Sequence, residues 1–204
     1  MKNDFDRLAS VYDLLAQMVF GRQLDQAQQV FLTELALHDK VLIVGGGTGK
    51  VLEWLPPELA VQVDYLELSE KMMAKAKRRK SSASLTHFYH GDILEHEGSY
   101  DVIIANFFLD CFSEEVLHRV LRKLSGMMDK SSTLIVTDFK QARRRNNQLL
   151  QQVMHWFFRL SSNLDADHLL DLHKALLHAG FREVQYRELS KEQLFAGVFQ
   201  RSNG

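Results

Sequence analysis

The sequence of 204 residues predicts one α/β domain built on a mostly parallel sheet. Short apolar runs alternate with helical patterns along the chain, and four glycines within five positions follow the first of these runs. Apolar runs without polar alternation indicate strands that are covered on both faces, and their alternation with helices indicates parallel order. Hydrophobic residues make up 46% of the chain, which is enough for one buried core, and no linker or internal repeat divides it.

Seven strands are predicted. Five apolar runs form the body of the sheet, at residues 41–44, 61–68, 85–89, 102–105 and 134–137. Two more strands follow in the tail, residues 182–201, on either side of the polar segment 189–192. The last strand is expected to be antiparallel to the others.

Helical spacing of apolar residues predicts two helices before the first strand, one on each side of Gly21. Later helices are predicted around residues 49–54, 70–80, 114–128, 141–160 and 166–178. Ser69 and Ser113 are the expected N-caps of two of them, and Gly180 is the expected glycine beyond the last. The predicted order is therefore an N-terminal helical lid (1–37), a core (38–140), an inserted lid helix (141–163), and a helix with a β-hairpin (164–204).

Charge and composition narrow the classes of function. The net charge of −1 gives no general attraction to nucleic acid, and the basic runs at 75–80 and 143–145 lack interleaved aromatic residues. The single cysteine, Cys111, excludes an internal disulfide. The acidic opening residues do not resemble a signal peptide, and no apolar run approaches the ~18 residues of a membrane span. We therefore expect a cytoplasmic protein, and nucleic acid is a disfavoured partner.

The most informative segment is the glycine turn, formed by Gly45, Gly46, Gly47 and Gly49 after the first predicted strand. Glycine lacks a Cβ and tolerates positive φ, so a ligand can lie directly against such a backbone. A purely structural tight turn is the alternative, although four glycines would then cost stability without return.

The spacing of the glycine turn argues against two phosphate-binding motifs. A P-loop requires glycine and then Ser or Thr at the positions that hold Val44 and Val51. A dinucleotide fingerprint requires a small residue where the chain has Lys50. The remaining pattern, G-x-G-x-G, favours a ligand without a pyrophosphate, and NAD(P) is the least favoured cofactor.

Acidic residues follow the next two predicted strands. Glu67 lies 22 positions after Gly45 at the end of the second strand, where an acid can accept both hydrogen bonds of a ribose diol. Asp92 could accept a hydrogen bond from an adenine amine while Ile93 packs on the ring. Each acid has an alternative explanation, as a solvated residue at a helix entry or a turn.

In this order and spacing, the glycine turn, Glu67 and the Asp92-Ile93 pair resemble the class I S-adenosylmethionine-dependent methyltransferases over residues 38–140. The resemblance implies a Rossmann-like three-layer sandwich, with S-adenosylmethionine as cofactor and S-adenosylhomocysteine as product. It implies that the glycine turn lines the methionine part of the cofactor, that Glu67 holds the ribose with Leu68 among the contacts, and that Asp92 and Ile93 bind the adenine.

The resemblance extends to both sides of these residues. Asn106 and Phe107, at the end of the fourth strand, would lie near the methionine or the methyl acceptor. Residues 5–13 are similar to the start of ubiquinone/menaquinone-type methyltransferases, which makes Tyr12 a candidate lid residue over the cofactor, with packing on the sheet as the alternative. The chain departs from the family at Ile43, where the family commonly has an acid that organises the methionine amino group.

Methyl transfer from a sulfonium is an in-line displacement, and positioning of the reactants can supply ~7–11 kcal/mol. A base is needed only if the acceptor must lose a proton. Asp110 is the first candidate base, and His155 and Tyr12 are the other catalytic candidates. Each has a structural alternative, as an acid near a helix start or as a packed side chain. Cys111 is interpreted as structural, and no metal site is predicted.

The leading hypothesis is methyl transfer to a small-molecule acceptor. The run that begins at Asn106 lacks the prolines typical of amino-directed methyltransferases that act on nucleic acid or glutamine. The alternatives are an RNA- or protein-directed methyltransferase, and a non-catalytic S-adenosylmethionine-binding or scaffold protein. The added helices would also allow a homodimer.

Overall fold

The computed structural model describes residues 22–37, 39–140, 170–189 and 193–202. Within them, one seven-stranded sheet has the strand order β3-β2-β1-β4-β5-β7-β6. Its strands are β1 (Lys40–Val44), β2 (Gln62–Glu67), β3 (Leu85–His90), β4 (Tyr100–Asn106), β5 (Met128–Phe139), β6 (Phe181–Leu189) and β7 (Leu194–Arg201).

The predicted α/β fold with a mostly parallel sheet is confirmed. Strands β1 to β5 pair in parallel, and β7 is antiparallel to both of its neighbours, β5 and β6. The inner strand β1 is buried from Val41 to Val44, as expected for a strand covered on both faces. The apolar runs of the sequence therefore marked the centre of the sheet.

Strand β5 begins earlier than predicted. It starts at Met128, whereas the apolar run begins at Leu134, and the preceding helix ends at Gly126. Three of the first residues of β5 are exposed, and the register against β4 shifts from Tyr100↔Met128 to Val102↔Thr133. This polar, bulged half of the strand carries no apolar signal, which explains the wrong boundary.

Four helices are described: α1 (Gln23–Gln29), α2 (Glu70–Ala76), α3 (Glu114–Gly126) and α4 (Leu172–His178). The helix predicted at 49–54 is instead a 3-10 turn, Lys50–Glu53. Gly49 precedes it in the left-handed region at φ 85°, and two prolines follow at 56 and 57, so a longer helix has no room. The predicted first helix, with Tyr12, and the inserted helix, with His155, lie outside the described residues.

The predicted helix ends are mostly confirmed. Ser69 caps α2 by accepting a hydrogen bond from the Met72 N–H at 3.3 Å. Gly180 follows α4 at φ 86°, the conformation expected of a glycine beyond a helix. Ser113 occupies the N-cap position of α3, but its hydroxyl makes no capping hydrogen bond.

Apolar residues pack on both faces of the sheet. Helices α3 and α4 cover one face through residues such as Leu121 and Leu176, and α2 and the 3-10 turns cover the other through residues such as Met73 and Val51. The carboxyl ends of β1, β2, β4 and β5 meet at one edge, where open α/β sheets bind ligands. Among the described helices, none has the length and apolar character needed to cross a membrane.

Candidate cofactor and acceptor site

The glycine turn connects β1 to the 3-10 turn and has three residues in the left-handed region: Gly45, Gly47 and Gly49. A Cβ on Gly45 would overlap the Phe108 ring, and a Cβ on Gly46 would overlap the Tyr65 ring. A Cβ on Gly47 would meet nothing within 4 Å. The turn is therefore packed at its start and open at Gly47, where a ligand can approach the backbone.

Glu67 lies directly beside this turn. Its carboxylate accepts hydrogen bonds from the Gly47 N–H at 2.8 Å and from the Ser69 N–H at 2.7 Å. Only 6% of Glu67 is exposed, and this burial raises its pKa, although the backbone hydrogen bonds act in the opposite direction. The Tyr65 hydroxyl donates to the Gly47 carbonyl oxygen at 3.0 Å, so both polar groups of Gly47 are held by β2.

The residues predicted to bind adenine lie after β3. The Asp92 carboxylate is exposed and accepts a hydrogen bond from the Leu94 N–H at 2.9 Å. Ile93 is 4% exposed and belongs to the same core cluster as Leu66, so little of its side chain faces solvent. Leu68 is exposed, and its carbonyl oxygen lies 2.9 Å from His90 Nε2. The roles of these residues toward a cofactor stay predictions.

Ile43, which stands where the family commonly has an acid, is 2% exposed and lies in the core cluster beneath β1. The same cluster contains Val63 and Tyr65, and Tyr65 is the register partner of Ile43 on β2. An acid here would be buried in apolar surroundings, so the apolar residue suits the packing of this chain.

Asn106 ends β4, and the environment of its side chain is unusual. Its amide nitrogen and oxygen are both shielded from solvent, and neither has a hydrogen-bond partner in the part of the chain that the structure describes. Phe107 follows at φ 50°, a conformation that is uncommon for a bulky residue, and its N–H donates to the Thr137 carbonyl oxygen at 2.7 Å. The Phe107 ring packs on Phe139 with centroids 5.2 Å apart.

Asp110 lies in the 3-10 turn Leu109–Cys111, immediately beyond β4. Its backbone N–H donates to Oδ2 of Asp138, a fully buried residue at the end of β5, at 3.3 Å. Burial raises the pKa of Asp110 to about 6, and burial followed by the Asp110 charge raises that of Asp138 well above its usual range. Burial also raises the pKa of the Cys111 thiol, which favours the structural interpretation of this cysteine.

Three residues that line this edge were missed by sequence reasoning: Tyr65, Phe108 and Asp138. Asp138 had a usable signal, since an acid directly after an apolar strand of a parallel sheet falls at the ligand-binding edge. Tyr65 and Phe108 had none, because their contacts with the glycine turn depend on strand register.

Part of the first basic run is used within the protein. Arg79 Nε donates to the Thr48 carbonyl oxygen at 2.6 Å, and its guanidinium pairs with Glu53 at 2.9 Å. Lys77 lies over the Phe88 ring, 5.8 Å from its centroid. The Arg79 contacts tie the segment after α2 to the glycine turn and the 3-10 turn, and Lys77 contacts β3. The second run, 143–145, lies outside the described residues.

The fold and the edge of the sheet together resemble those of one class of enzymes. A seven-stranded sheet with one antiparallel strand, a glycine turn after β1 and an acid after β2 are the features of a class I S-adenosylmethionine-dependent methyltransferase. Residues 42–134 match the family model described as a methyltransferase domain. The match covers 93 of the 204 residues, and S-adenosylmethionine is the cofactor that this resemblance implies. No curated protein matches the chain in sequence.

Solved structures share the fold at low identity. Mitomycin 7-O-methyltransferase matches with a TM-score of 0.70 and 17% identity over 96% of this chain and 60% of its own. A complex between the Haloferax volcanii Trm112 methyltransferase activator and a methyltransferase matches with a TM-score of 0.74 and 13% identity. The match covers 100% of this chain and 98% of the matched one. The third structure is Burkholderia thailandensis 1,6-didemethyltoxoflavin-N1-methyltransferase with bound 1,6-didemethyltoxoflavin and S-adenosylhomocysteine. It matches with a TM-score of 0.69 and 15% identity over 98% of this chain and 87% of its own. The chain thus spans about three fifths of the mitomycin enzyme.

Proposed function

We propose that this chain transfers the methyl group of S-adenosylmethionine to a small-molecule acceptor at the carboxyl edge of the sheet. The observation that carries the proposal is the open backbone of Gly47 beside the buried carboxylate of Glu67. An approachable backbone and a hydrogen-bond acceptor next to it suit a nucleoside that carries no phosphate.

The same geometry argues against a pyrophosphate ligand. In a dinucleotide site, the N–H groups of the glycine turn and the following helix N-terminus face the phosphates. Here the Gly47 N–H donates to Glu67, whose negative charge would repel a phosphate. The 3-10 turn Lys50–Glu53 supplies no regular helix dipole in compensation.

The residues of this edge divide into those that would hold the cofactor and those that would face the acceptor. Glu67 would accept hydrogen bonds from cofactor hydroxyl groups, and the Gly47 backbone provides a flat surface. The Asn106 amide, which has no partner among the described residues, offers an NH2 donor group and a carbonyl acceptor. When bound, S-adenosylmethionine supplies an electrophilic methyl group. The chain contributes by orienting the acceptor and limiting its motion.

The acceptor is proposed to be a small apolar or aromatic compound. Phe107, Phe108 and Phe139 are partly exposed next to the end of β4, so an apolar acceptor would gain burial against them. The similar structures include an O-methyltransferase and an N-methyltransferase by name, so the acceptor atom is left open. Lid roles for Tyr12 and His155, a cytoplasmic location and a homodimer remain predictions from the sequence.

The test compares two matched glycine substitutions, Gly47→Ala and Gly180→Ala. Both glycines have positive φ and open space where a Cβ would lie, so both variants carry a similar backbone strain of about 1 kcal/mol. Only Gly47 lies in the proposed site. We expect Gly47→Ala to weaken S-adenosylhomocysteine binding at least tenfold by calorimetry, and Gly180→Ala to leave it within twofold.

Two outcomes would contradict the proposal. Equal affinity in both variants would remove the glycine turn from the binding site. A wild-type protein that binds neither S-adenosylmethionine nor S-adenosylhomocysteine, or that binds NAD more tightly, would overturn the proposed activity. Thermal unfolding of both variants shows whether the strain is matched.

A further inference from the structure

Tyr65 of β2 lies directly beneath the glycine turn. Its side chain is fully buried, and its hydroxyl donates to the Gly47 carbonyl oxygen at 3.0 Å. Gly47 is the residue at which the turn is open to a ligand, since a Cβ there would meet nothing within 4 Å in the described part of the chain. Tyr65 therefore connects the core of the sheet to the backbone that the cofactor would contact.

The turn accommodates the Tyr65 ring because Gly46 has no side chain. An added Cβ on Gly46 would overlap the ring and its hydroxyl oxygen. Gly46 is not among the described residues with positive φ, so its backbone would tolerate a side chain, and it is the ring that excludes one. Phe88 of β3 also packs against the ring, with centroids 5.2 Å apart. These two neighbours fix the position of the Tyr65 hydroxyl.

Three consecutive residues of β2 form hydrogen bonds to the turn. The Gly46 N–H donates to the Leu66 carbonyl oxygen at 3.3 Å, and the Gly47 N–H donates to Glu67 Oε2 at 2.8 Å. The Tyr65 hydroxyl adds the bond to the Gly47 carbonyl oxygen. The N–H and the carbonyl of Gly47 belong to the two peptide planes on either side of its Cα, so these bonds restrict both of its backbone dihedrals.

The register of the sheet adds a reason for this anchor. Tyr65 is the partner of Ile43 on β1, where the family commonly has an acid. β1 is apolar from Val41 to Val44, so it supplies no polar side chain to the turn. The neighbouring strand β2 provides one instead, and a glycine that is already held in place loses less freedom when a ligand binds.

The same contacts act on Glu67, the proposed acceptor of the ribose hydroxyl groups. The Ser69 N–H donates to its Oε1 at 2.7 Å and the Gly47 N–H donates to its Oε2, so the backbone sets the orientation of the carboxylate. Burial raises the pKa of Glu67, and the hydrogen bonds from Ser69 and Gly47 oppose this rise. If Gly47 turned away, the carboxylate would lose a donor and its pKa would rise further.

We propose that Tyr65 is a positioning residue for cofactor binding, acting through Gly47 on Glu67. Its hydroxyl holds the Gly47 peptide so that the backbone stays open and the N–H stays on the carboxylate. Gly46 is the matching part of this arrangement, because it leaves room for the ring. The inference rests on the proposed function above.

The first experiment compares Tyr65→Phe with Tyr100→Phe, the matched control. Each variant removes one buried hydroxyl that donates a hydrogen bond, but Tyr100 donates to Asp64 at the amino end of the sheet. We expect Tyr65→Phe to weaken S-adenosylhomocysteine binding about 3–12-fold by calorimetry, the range that one hydrogen bond supplies. Tyr100→Phe should leave it within about twofold. Thermal unfolding of both variants compares their stability.

The second experiment measures the same binding from pH 5 to pH 8. Ionised Glu67 accepts hydrogen bonds from hydroxyl groups, so the affinity falls as pH falls through its pKa. In Tyr65→Phe this fall should begin at a higher pH, because the Gly47 donor is no longer held on the carboxylate. His90, the charged neighbour of Glu67, and Asp92 are unchanged in every protein compared, so the difference between profiles reports Glu67. Tyr100→Phe should follow wild type.

The third experiment is a double-mutant cycle on the ring and the turn. Gly46→Ala should displace the Tyr65 ring and weaken S-adenosylhomocysteine binding about tenfold or more. In the background of Tyr65→Val, whose side chain leaves room for the added methyl group, the same substitution should weaken binding less than about threefold. Losses that depend on each other in this way identify two groups that act together.

The outcomes separate this inference from the proposed function. If wild type binds no S-adenosylhomocysteine, the proposed function fails. If wild type binds it and Tyr65→Phe retains the affinity within about twofold, only the inference is wrong. It is also wrong if the Tyr65→Phe profile runs parallel to that of wild type at lower affinity, because Tyr65 would then be structural. Additive losses for Gly46→Ala and Tyr65→Val would show that the ring and the turn act independently, and would overturn it as well.

Discussion

The amino and carboxyl ends of the sheet surround a buried acid in different ways. At the amino end, Asp64 of β2 is 7% exposed and accepts a hydrogen bond from the Tyr100 hydroxyl at 2.8 Å. His87 Nδ1 lies 3.2 Å from the other carboxylate oxygen, and Lys40 Nζ lies 3.9 Å from the oxygen that accepts from Tyr100. A hydroxyl donor and a cation therefore compensate the buried charge of Asp64.

At the carboxyl end, Asp138 has only backbone donors among the described residues, and the charge that acts on it is that of another acid, Asp110. Two acids in contact disfavour each other's ionised forms, so this pair is expensive when both are charged. An arrangement that costs stability is typical of a functional site, whereas the compensated acid at the amino end is typical of a structural one.

The largest expected effect is at the amino end. Asp64→Ala leaves the buried Tyr100 hydroxyl without its acceptor and removes the partner of Lys40 and His87, so the free energy of unfolding should fall by about 2–4 kcal/mol. The measurement is urea unfolding at pH 7.5. Binding of S-adenosylhomocysteine should be unchanged, because the cluster lies away from the glycine turn.

Glu58→Ala, at an exposed acid before β2, is the control and should change stability by less than about 0.5 kcal/mol. A similar small loss in Asp64→Ala would show that the amino-end cluster contributes little, and the contrast between the two ends would disappear.

The second expected effect is a gain, not a loss, in the free energy of unfolding. Burial raises the folded-state pKa of Asp110 to about 6, so the stability tied to its proton is full below about pH 4 and is lost as pH rises through about 6. Asp110→Asn removes the ionised group and should be more stable than wild type at pH 8, by about 1–3 kcal/mol, and equally stable near pH 4.

Chemical denaturation at these two pH values checks the prediction, with Asp129→Asn as the control of unchanged stability. A less stable Asp110→Asn at pH 8 would mean that the carboxylate is compensated, as Asp64 is. The carboxyl end would then be structural as well.

Sequence patterns were sufficient to predict the strands at the centre of the sheet and part of the candidate site at its edge. Runs such as residues 41–44 predict buried strands because every side chain there is apolar. The spacing of Gly45 and Glu67 identified two groups that the structure brings together, although the hydrogen bond from Gly47 to Glu67 has no sequence signal. Helix ends marked by a capping side chain or a left-handed glycine, such as Ser69 and Gly180, could also be predicted from the sequence.

Features that depend on strand register or on the partner of a side chain could not be predicted from the sequence. The polar half of β5 pairs through a bulge against β4, and no periodicity marks it. Lys50–Glu53 has the composition of a helix, but the left-handed Gly49 and the nearby prolines restrict it to one turn. Asp110 was a candidate from its position after a strand, whereas its contact with Asp138 joins residues 28 positions apart.

The smallest expected effect concerns His96, which lies beside the amino-end cluster with Nε2 2.8 Å from the Tyr100 hydroxyl. Burial lowers the pKa of His96, and the positive charges of Lys123 and Lys40 add to this, while Asp64 and Glu97 oppose it. The folded protein therefore favours the neutral ring, so the contribution of His96 to stability is present above its ordinary pKa of about 6.5 and is lost as pH falls below it.

His96→Gln should accordingly reduce the loss of thermal stability between pH 7.5 and pH 5.5, while His118→Gln, at an exposed histidine of α3, should leave it unchanged. The measurement is the difference in Tm between the two pH values for each protein. At the amino end stability rises with pH, whereas at the carboxyl end it falls, because one region buries a base and the other buries an acid. A His96→Gln profile parallel to that of wild type would leave Asp110 and Asp138 as the main source of pH dependence, and the opposition between the two ends would reduce to a difference in hydrogen bonding alone.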